Sequence, residues 1–236
     1  MALTVIKNWD KKTWLSSKDY IKSFNNFLTK KIKLNSQSKV LDIGCGRGKI
    51  LGNLSSNLKL NNKPFGIDII NHKDRDKRIK FKKISASLFF LRNKQKFDLI
   101  IIKQTIHLLN FKEIIELLKL SKKNLNTNGK IFIFTLDTNK NEFPTFNLMK
   151  KKLTKSLKRD KKILKLISKL YQIKKKIKFT YKVKISKKNY LMMIKKRYIS
   201  TLLTLSRKEI LKGMEQINLK YNINLNFKDK LTCIIL

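Results

Sequence analysis

The hydrophobic and polar positions of this chain predict an N-terminal helix followed by alternating strands and helices. Ser16 with Asp19 three positions later predicts a capping box at the start of this helix. Apolar side chains then recur about every 3.6 residues, at Tyr20, Ile21, Phe24, Phe27, Leu28 and Ile32. Trp9 and Trp14 belong to the same N-terminal unit. Tyr20 and Trp14 either anchor the helix to the core or lie near a functional site.

Short apolar runs predict five strands, at residues 40–43, 65–70, 79–86, 97–102 and 130–136. Helical spacing predicts further helices, at residues 49–58, 111–125 and 206–217. The last of these begins with a capping box of Ser206 and Glu209. Two closing segments, 221–227 and 231–236, predict a hairpin. The alternation predicts a three-layer αβα fold around a mostly parallel, seven-stranded sheet.

Three of the 7 glycines occupy alternate positions directly after the first apolar run, at Gly44, Gly46 and Gly48. Because a helical pattern restarts at Lys49, these glycines lie in a strand-to-helix turn. Such a turn exposes backbone N–H groups and lets a ligand approach the main chain closely. Asp42, near the end of an otherwise apolar strand, is costly to bury unless it serves a ligand or a hydrogen-bond network. Taken alone, the turn is also consistent with a loop that only redirects the chain.

The spacing differs from the dinucleotide fingerprint G-x-G-x-x-G, because Gly48 comes one position too early. With Asp42 two positions before Gly44, it resembles the first motif of the class I S-adenosylmethionine (SAM) dependent methyltransferases. A second apolar run ends in Asp68, 20 positions after Gly48. This is about the distance at which a carboxylate meets the ribose hydroxyls in nucleotide-binding units. The run that contains Asp98 resembles the family's fourth strand, so three of only 15 acidic residues occupy motif positions.

The resemblance implies a Rossmann-like fold with SAM at the carboxyl ends of the strands. It implies a cofactor-binding set of Asp42, Gly44, Cys45, Gly46, Gly48, Asp68, Ile69, Ser85, Ala86 and Lys103. In this set the glycine turn would approach the methionine portion of SAM through its backbone. Asp42 would favour the ammonium group of SAM, Asp68 would hold the ribose and Ile69 would flank the adenine. Family members often place an acid after the third strand, and here Ser85 or Ala86 would replace that contact with the adenine amino group.

Two further residues are candidates for chemistry on the acceptor side. His107 follows the fourth strand, where cofactor and substrate meet in the resembled family, and an imidazole suits a general base. The alternative is a histidine that only closes the pocket or contacts the cofactor. Arg197, one of 7 arginines, could clamp a substrate carboxylate, and its segment resembles the cap of trans-aconitate-type methyltransferases. The alternative is a surface arginine at a helix end.

The chain has a large positive charge. It contains 57 Lys and Arg residues and 15 Asp and Glu residues, which gives a net charge of +42. This charge is either a binding footprint for RNA, DNA or anionic membrane, or a chain-wide drift towards lysine. The 50 Lys against 7 Arg favour drift, because dedicated phosphate readers rely on arginine. Residues 139–205 are especially basic and predict a helical cap insertion after strand five, with RNA or membrane contact as the alternative role.

Cys45 and Cys233 are the only 2 cysteines. They offer neither a disulfide framework nor a metal-ligand cluster, so we expect no metal and a reducing compartment. The N-terminal apolar stretch is too short for a signal peptide, and no apolar run reaches membrane-spanning length. The sequence therefore predicts a cytoplasmic protein without membrane insertion.

These observations divide the chain into four predicted segments. They are an N-terminal helical segment at 1–35, a SAM-binding core at 36–138, a basic helical cap at 139–205, and a final helix with a hairpin at 206–236. The predicted function is SAM-dependent methyl transfer to a small, anionic metabolite. Two alternatives stay open: an RNA methyltransferase that holds nucleic acid with the basic insertion, and a non-catalytic basic protein that binds nucleic acid.

Overall fold

The computed structural model describes residues 13–236, so Trp9 lies outside the described residues. The strands are β1 (Val40–Ile43), β2 (Phe65–Asp68), β3 (Lys80–Lys83), β4 (Phe97–Lys103), β5 (Leu125–Leu136), β6 (Lys175–Ser186) and β7 (Asn224–Ile235). The helices are α1 (Lys18–Thr29), α2 (Lys49–Asn57), α3 (Ala86–Arg92), α4 (Phe111–Lys123), α5 (Asn147–Leu170), α6 (Lys187–Lys195) and α7 (Arg207–Lys220). Short 3-10 turns add Trp14–Ser16, Ile106–Leu108 and Ser200–Leu202.

The seven strands form one sheet in the order β3-β2-β1-β4-β5-β7-β6. Strands β1 to β5 pair in parallel, whereas β7 runs antiparallel to both β5 and β6. Buried side chains of α1, α2, α6 and α7 pack on one face of the sheet. Those of α3, α4 and the second half of α5 pack on the other face. The predicted three-layer, mostly parallel αβα fold is therefore confirmed.

The central strands are apolar throughout because helices cover both faces of the sheet. In β5, Phe132 and Phe134 join the core on the α1 side, and Ile131 and Ile133 join the core on the α4 side. All four side chains are fully buried. The alternation follows the two-residue period of a strand. A continuous apolar run in the sequence thus fills two separate cores.

Local capping explains where two of the helices begin. Ser206 and Glu209 form the capping box that the sequence predicts at the start of α7. At α1 the prediction is wrong by one residue, because the cap is Ser17 and not Ser16. The Ser17 hydroxyl accepts a hydrogen bond from the Tyr20 backbone N–H at 3.2 Å. Both serines can accept such a bond, and only the path of the chain selects between them.

Several predicted element boundaries are wrong. The third strand ends at Lys83, and Ala86 belongs to α3, a helix that the sequence analysis did not predict. The predicted helix at 111–125 ends at Lys123, because Leu125 already pairs with Phe97 as the first residue of β5. Short apolar runs fit a strand or a buried helix equally well, so periodicity alone does not place such boundaries.

The predicted C-terminal hairpin is also wrong. Residues 224–235 form the single strand β7, which continues through the polar stretch at 228–230. Its partner β6 lies inside the segment 139–205, so that segment is not helical throughout. The side chain of Asp229 is fully buried in this strand. The polar stretch resembled a turn because a buried carboxylate inside a strand is rare.

Helix α5 carries much of the basic charge of the segment 139–205 and is amphipathic. Its buried positions are Met149, Leu153, Asp160, Ile163, Leu164 and Ile167. Met149 joins the core on the α1 side, and the residues from Ile163 onward join the core on the α4 side. Within residues 13–236, no helix combines the length and the apolar character needed to cross a bilayer.

Candidate active site

The glycine turn after β1 has the backbone conformation that its sequence predicts. Gly44, Gly46 and Gly48 have φ angles of 74°, 57° and 71°, values that residues with a Cβ rarely adopt. The N–H groups of Gly44 and Cys45 both donate to the Ile67 carbonyl, at 2.8 and 3.0 Å. These bonds hold the turn against the end of β2. The predicted strand-to-helix turn is therefore present, and α2 begins directly after Gly48.

The three glycines differ in what surrounds them. A Cβ added to Gly44 would lie 2.1 Å from the Thr105 hydroxyl oxygen, and one added to Gly48 would lie 2.2 Å from Ile79 Cδ1. These two positions exclude larger residues because the protein itself fills the space. A Cβ on Gly46 would meet no atom within 4 Å among the described residues. The turn therefore leaves open space beside the Gly46 backbone.

Asp68 lies at the end of β2 and joins this turn. Its carboxylate accepts hydrogen bonds from the Gly46 N–H and the Ile70 N–H, both at 2.9 Å. The next residue, Ile69, has 62% of its side chain exposed, which is unusual for isoleucine. The structure thus brings together a carboxylate, an open turn and an exposed apolar side chain at the carboxyl end of the sheet.

Asp42 is the second carboxylate near the turn, and its environment is different. It is only 5% exposed, and its Oδ1 has no hydrogen-bond partner among the described residues. Burial raises the pKa of Asp42 to about 7, the positive charge of Lys103 opposes this rise, and the negative charge of Asp68 adds to it. A buried carboxylate with an unpaired oxygen is costly. A cation or hydrogen-bond donor bound beside Asp42 would remove that cost.

The donors and acceptors at this edge fit the parts of SAM. Asp42 offers an unpaired carboxylate oxygen for an ammonium group. The open backbone at Gly46 leaves room for a ligand, and the Asp68 carboxylate at the strand end suits ribose hydroxyls. Within residues 13–236 no group of three or more His, Cys, Asp or Glu residues could hold a metal ion. The residues present therefore fit an organic cation of the nucleoside type.

Lys103 is the last residue of β4 and lies close to the Asp42 carboxylate. Its ammonium nitrogen lies 5.3 Å from the centroid of the Tyr20 ring and 5.5 Å from that of Phe24, which places the charge over two aromatic faces. Burial raises the pKa of Asp42 on one side of Lys103 and that of Asp229 on the other, and the positive charge of Lys103 opposes both rises. Lys103 therefore links the pocket at Asp42 to a second buried carboxylate, which the sequence analysis did not identify.

Two of the residues proposed for adenine contact have a structural role. The Ser85 hydroxyl caps α3 by accepting from the Leu88 N–H at 3.4 Å, and Ala86 is the first residue of that helix.

Asp98, which resembled a motif acid, lies at the start of β4 and therefore at the opposite edge of the sheet. Its carboxylate accepts from the Lys39 N–H at 2.7 Å. Asp98 is thus not grouped with Asp42 and Asp68.

His107 lies in the short 3-10 turn after β4, against helix α5. The Arg159 guanidinium donates to the backbone carbonyls of His107 and Leu109. Burial and the nearby charge of Arg159 lower the pKa of His107 to about 4. The imidazole is therefore neutral at physiological pH but a weak proton acceptor. Sequence reasoning missed Arg159, which is separated from His107 by 52 positions.

Arg197 lies between α6 and α7, with a positive φ of 54°. Its guanidinium donates to the Leu205 carbonyl through Nε at 3.3 Å and through Nη2 at 2.9 Å. These bonds close the connection that contains the turn Ser200–Leu202. The contacts of Arg197 thus explain its presence through the fold, and its role as a substrate clamp stays a prediction.

Several solved structures share the fold of this chain. The fold is similar to a putative methyltransferase from an antibiotic biosynthesis pathway of Anabaena variabilis, with a TM-score of 0.57 and 14% identity over 90% of this chain and 96% of that one. A SAM-dependent methyltransferase from Archaeoglobus fulgidus gives a TM-score of 0.50 and 17% identity, over 92% and 94% of the two chains. The plantazolicin methyltransferase BpumL, in complex with a monoazolic desmethylPZN analog and S-adenosylhomocysteine, gives 0.50 and 17%, over 97% and 86%. The fold is that of the Rossmann-like methyltransferases.

The sequence itself places the chain in a family. It matches the model of a family described as a methyltransferase domain over residues 16–168. This range is more than half of the 236 residues, so the chain belongs to that family. The resemblance to the SAM-dependent methyltransferases is thereby confirmed. No curated protein matches the chain significantly.

Proposed function

We propose that this enzyme transfers the methyl group of SAM to a small, anionic molecule. The observation that carries the proposal is the buried Asp42 carboxylate, whose Oδ1 has no hydrogen-bond partner within residues 13–236. It lies in the strand that leads into a glycine turn with open space at Gly46. The presence of S-adenosylhomocysteine in the structure of BpumL supports the choice of cofactor.

Each residue of the pocket has a proposed task. Asp42 would bind the ammonium group of the cofactor, and the backbone at Gly46 would contact its methionine portion. Asp68 would exchange part of its bonding to the turn for the ribose hydroxyls, and Ile69 would cover the adenine. SAM, when bound, supplies a methyl group that is already activated by its sulfonium. The protein then contributes mainly alignment of the two reactants and exclusion of water.

His107 would act as a general base only if the acceptor group must lose a proton during methyl transfer. With its pKa lowered to about 4, the imidazole would take up such a proton weakly at pH 7. A carboxylate or thiolate acceptor needs no base. The environment of His107 therefore favours alignment over proton transfer as the main contribution of this segment.

The anionic character of the acceptor rests on the charge of the surface. Lys182, Lys184 and Lys228, together with Glu142, line a cleft of about 640 Å³ on the paired strands β6 and β7, and the whole chain carries a net charge of +42. A positive surface raises the local concentration of anions and excludes cations. BpumL, whose structure holds a monoazolic desmethylPZN analog, supports a small acceptor.

RNA is a second candidate acceptor, favoured by the edge strand β6. Its exposed positions include Lys175, Lys176, Lys178, Lys182 and Lys184, and such a row suits a polyanion. Incubation with labelled SAM and a desalted cell extract, followed by separation into RNA, protein and small molecules, distinguishes the two. We expect the label in the small-molecule fraction. Label mainly in RNA would overturn the proposed acceptor class but keep the methyltransferase.

A further inference from the structure

A row of polar side chains crosses the sheet at its carboxyl edge, beneath α1. Asp42 and Lys103 form one end of this row. Asp229 of β7 continues it, and Asp229 pairs across the strands with Tyr181 of β6. The Asp137 N–H donates to the Lys230 carbonyl at 2.8 Å, which fixes Asp229 beside the end of β5. The row therefore extends from the proposed cofactor pocket to the far side of the sheet.

Asp229 is held at one oxygen and unsatisfied at the other. Its Oδ2 accepts from the Trp14 Nε1–H at 3.0 Å, and its Oδ1 has no partner among the described residues. The Tyr20 hydroxyl, also fully buried, equally lacks a partner in the described part of the chain. Burial, followed by the negative charge of Asp229, raises the pKa of Tyr20. The Asp229 carboxylate, a buried acceptor, and the Tyr20 hydroxyl, a buried donor, thus interact electrostatically but form no hydrogen bond with each other.

A cleft opens at the surface beside the two rings that contact this pair. It has a volume of about 460 Å³, and its lining includes Trp14, Ser17, Asp19, Tyr181 and Val183. Trp14 is hydrogen-bonded to Asp229 at 3.0 Å, and the Tyr181 ring lies 5.0 Å from the Tyr20 ring in an edge-to-face contact. Trp14 and Tyr181 thus line the cleft, and each contacts one member of the unsatisfied pair. A volume of this size is in the range of small-molecule sites.

We propose that the Asp229 carboxylate and the Tyr20 hydroxyl bind a hydroxyl group of the acceptor molecule. The hydroxyl would donate to Asp229 Oδ1 and accept from the Tyr20 O–H, which satisfies both groups at once. This inference rests on the proposed function, because it assigns the substrate class of the same enzyme. It makes Asp229 and Tyr20 determinants of acceptor specificity, with no contact to the cofactor.

Other polar groups fit this position less well. A carboxylate would face the Asp229 carboxylate, and an ammonium group has no lone pair to accept a hydrogen bond from the Tyr20 O–H. A hydroxyl is neutral and both donates and accepts. The surrounding rings of Trp14, Tyr20 and Tyr181 favour a hydroxyl carried by a flat apolar body. An anionic group elsewhere on the same molecule would remain compatible with Lys184, which also lines this cleft.

The test compares phenol with toluene, which differ only in the hydroxyl group. Dissociation constants are measured by NMR titration of the full chain in the presence of S-adenosylhomocysteine. We expect wild-type protein to prefer phenol by about tenfold, because a site with buried polar groups rejects an analogue that leaves them unpaired. Tyr20→Phe and Asp229→Asn are each expected to reduce the preference to less than about twofold.

Tyr190→Phe is the matched control, because Tyr190 is equally buried but its hydroxyl donates to the Pro144 carbonyl at 2.7 Å. This variant should keep the phenol preference even if it is less stable. Equal affinities for phenol and toluene in wild type, including no binding of either, would overturn the inference and leave a trapped water as the partner of the pair. Calorimetric titration of wild type with SAM runs alongside. If wild type does not bind SAM but still prefers phenol, the proposed function is overturned. The binding site at Asp229 and Tyr20 then remains.

Discussion

Asp42 and Asp68 lie at the same pocket but are stabilised differently. Asp68 accepts two backbone hydrogen bonds at 2.9 Å, whereas the Oδ1 of Asp42 has no partner within residues 13–236. Hydrogen bonds stabilise a carboxylate, and burial without them destabilises it. The two residues should therefore respond differently to substitution.

The stability of the protein should depend on the ionisation of Asp42. Burial raises the pKa of Asp42 from 3.8 to about 7, so the folded state binds a proton more tightly than the unfolded state. The unfavourable contribution is absent below pH 4, grows as the pH rises and is complete above pH 7. Relative to wild type, Asp42→Asn should become more stable by up to about 4 kcal/mol across this window.

Urea unfolding of both proteins at several pH values measures this difference. The comparison with Asp42→Asn isolates the contribution of Asp42, because Asp160 and Asp229 also have raised pKa values and titrate in both proteins. A constant stability difference between pH 4 and pH 8 would contradict the prediction.

Asp68→Ala should weaken SAM binding by at least about tenfold, or about 1.4 kcal/mol. The carboxylate would contact the ribose, and it also positions the glycine turn through the Gly46 N–H. Calorimetric titration measures the affinity. Asp98→Asn is the control, because Asp98 is also bonded to a backbone N–H but lies at the opposite sheet edge. Unchanged affinity in Asp68→Ala would remove the ribose role.

The sequence analysis identified functional residues that are near one another in the sequence. The glycine turn and Asp42 lie within one motif, and Asp68 follows at a spacing set by one strand-helix-strand unit. Asp229 was not identified because its contact with Trp14 joins residues that are 215 positions apart. No local pattern carries that information.

At the scale of elements, periodicity was reliable inside long helices and central strands and unreliable at the sheet edge. Strand β6 was read as part of a helical insertion, because its lysines hide the alternation of Phe179, Tyr181 and Val183 on its buried face. Lysine on an edge strand protects it from pairing with other chains. The composition of this strand thus reflects its place at the edge, which the sequence alone does not give.

Helix α5 is joined to the segment after β4 by Arg159, which donates to the carbonyls of His107 and Leu109. Arg159→Met should destabilise the protein by about 1 to 3 kcal/mol, because two partly buried carbonyls lose a charged donor. Urea unfolding measures the loss. Lys158→Met, at an exposed position of the same helix, is the control and should change stability by less than about 0.5 kcal/mol. Equal losses in both variants would refute a specific link.

At the scale of the whole molecule, charge is the dominant feature. A net charge of +42 on 236 residues destabilises the compact state by self-repulsion. Few acidic residues are available to offset it, and several of these, such as Asp42, Asp160 and Asp229, are buried. Ion pairs such as Arg78 with Asp76 and Lys178 with Asp137 involve few of the 57 Lys and Arg residues, so the repulsion stays spread over the surface.

Added salt should stabilise the protein, because it screens this repulsion. Between about 0.02 M and 0.3 M NaCl the screening length falls by severalfold, and the melting temperature should rise by several degrees. Thermal unfolding followed by circular dichroism measures the shift. Choline chloride at equal ionic strength is the control and should have the same effect. An unchanged or lower melting temperature would show that self-repulsion does not limit stability.

The sequence by itself determined the αβα architecture, the glycine turn and the pair of Asp42 and Asp68, because hydrophobic period and motif spacing are properties of neighbouring residues. The tertiary structure decided that β7 is one strand paired with β6, that Arg159 holds the segment of His107, and that Asp229 lies beneath α1. These features arise from contacts between distant parts of the chain. Their energy depends on burial, and burial is fixed only when the chain is folded.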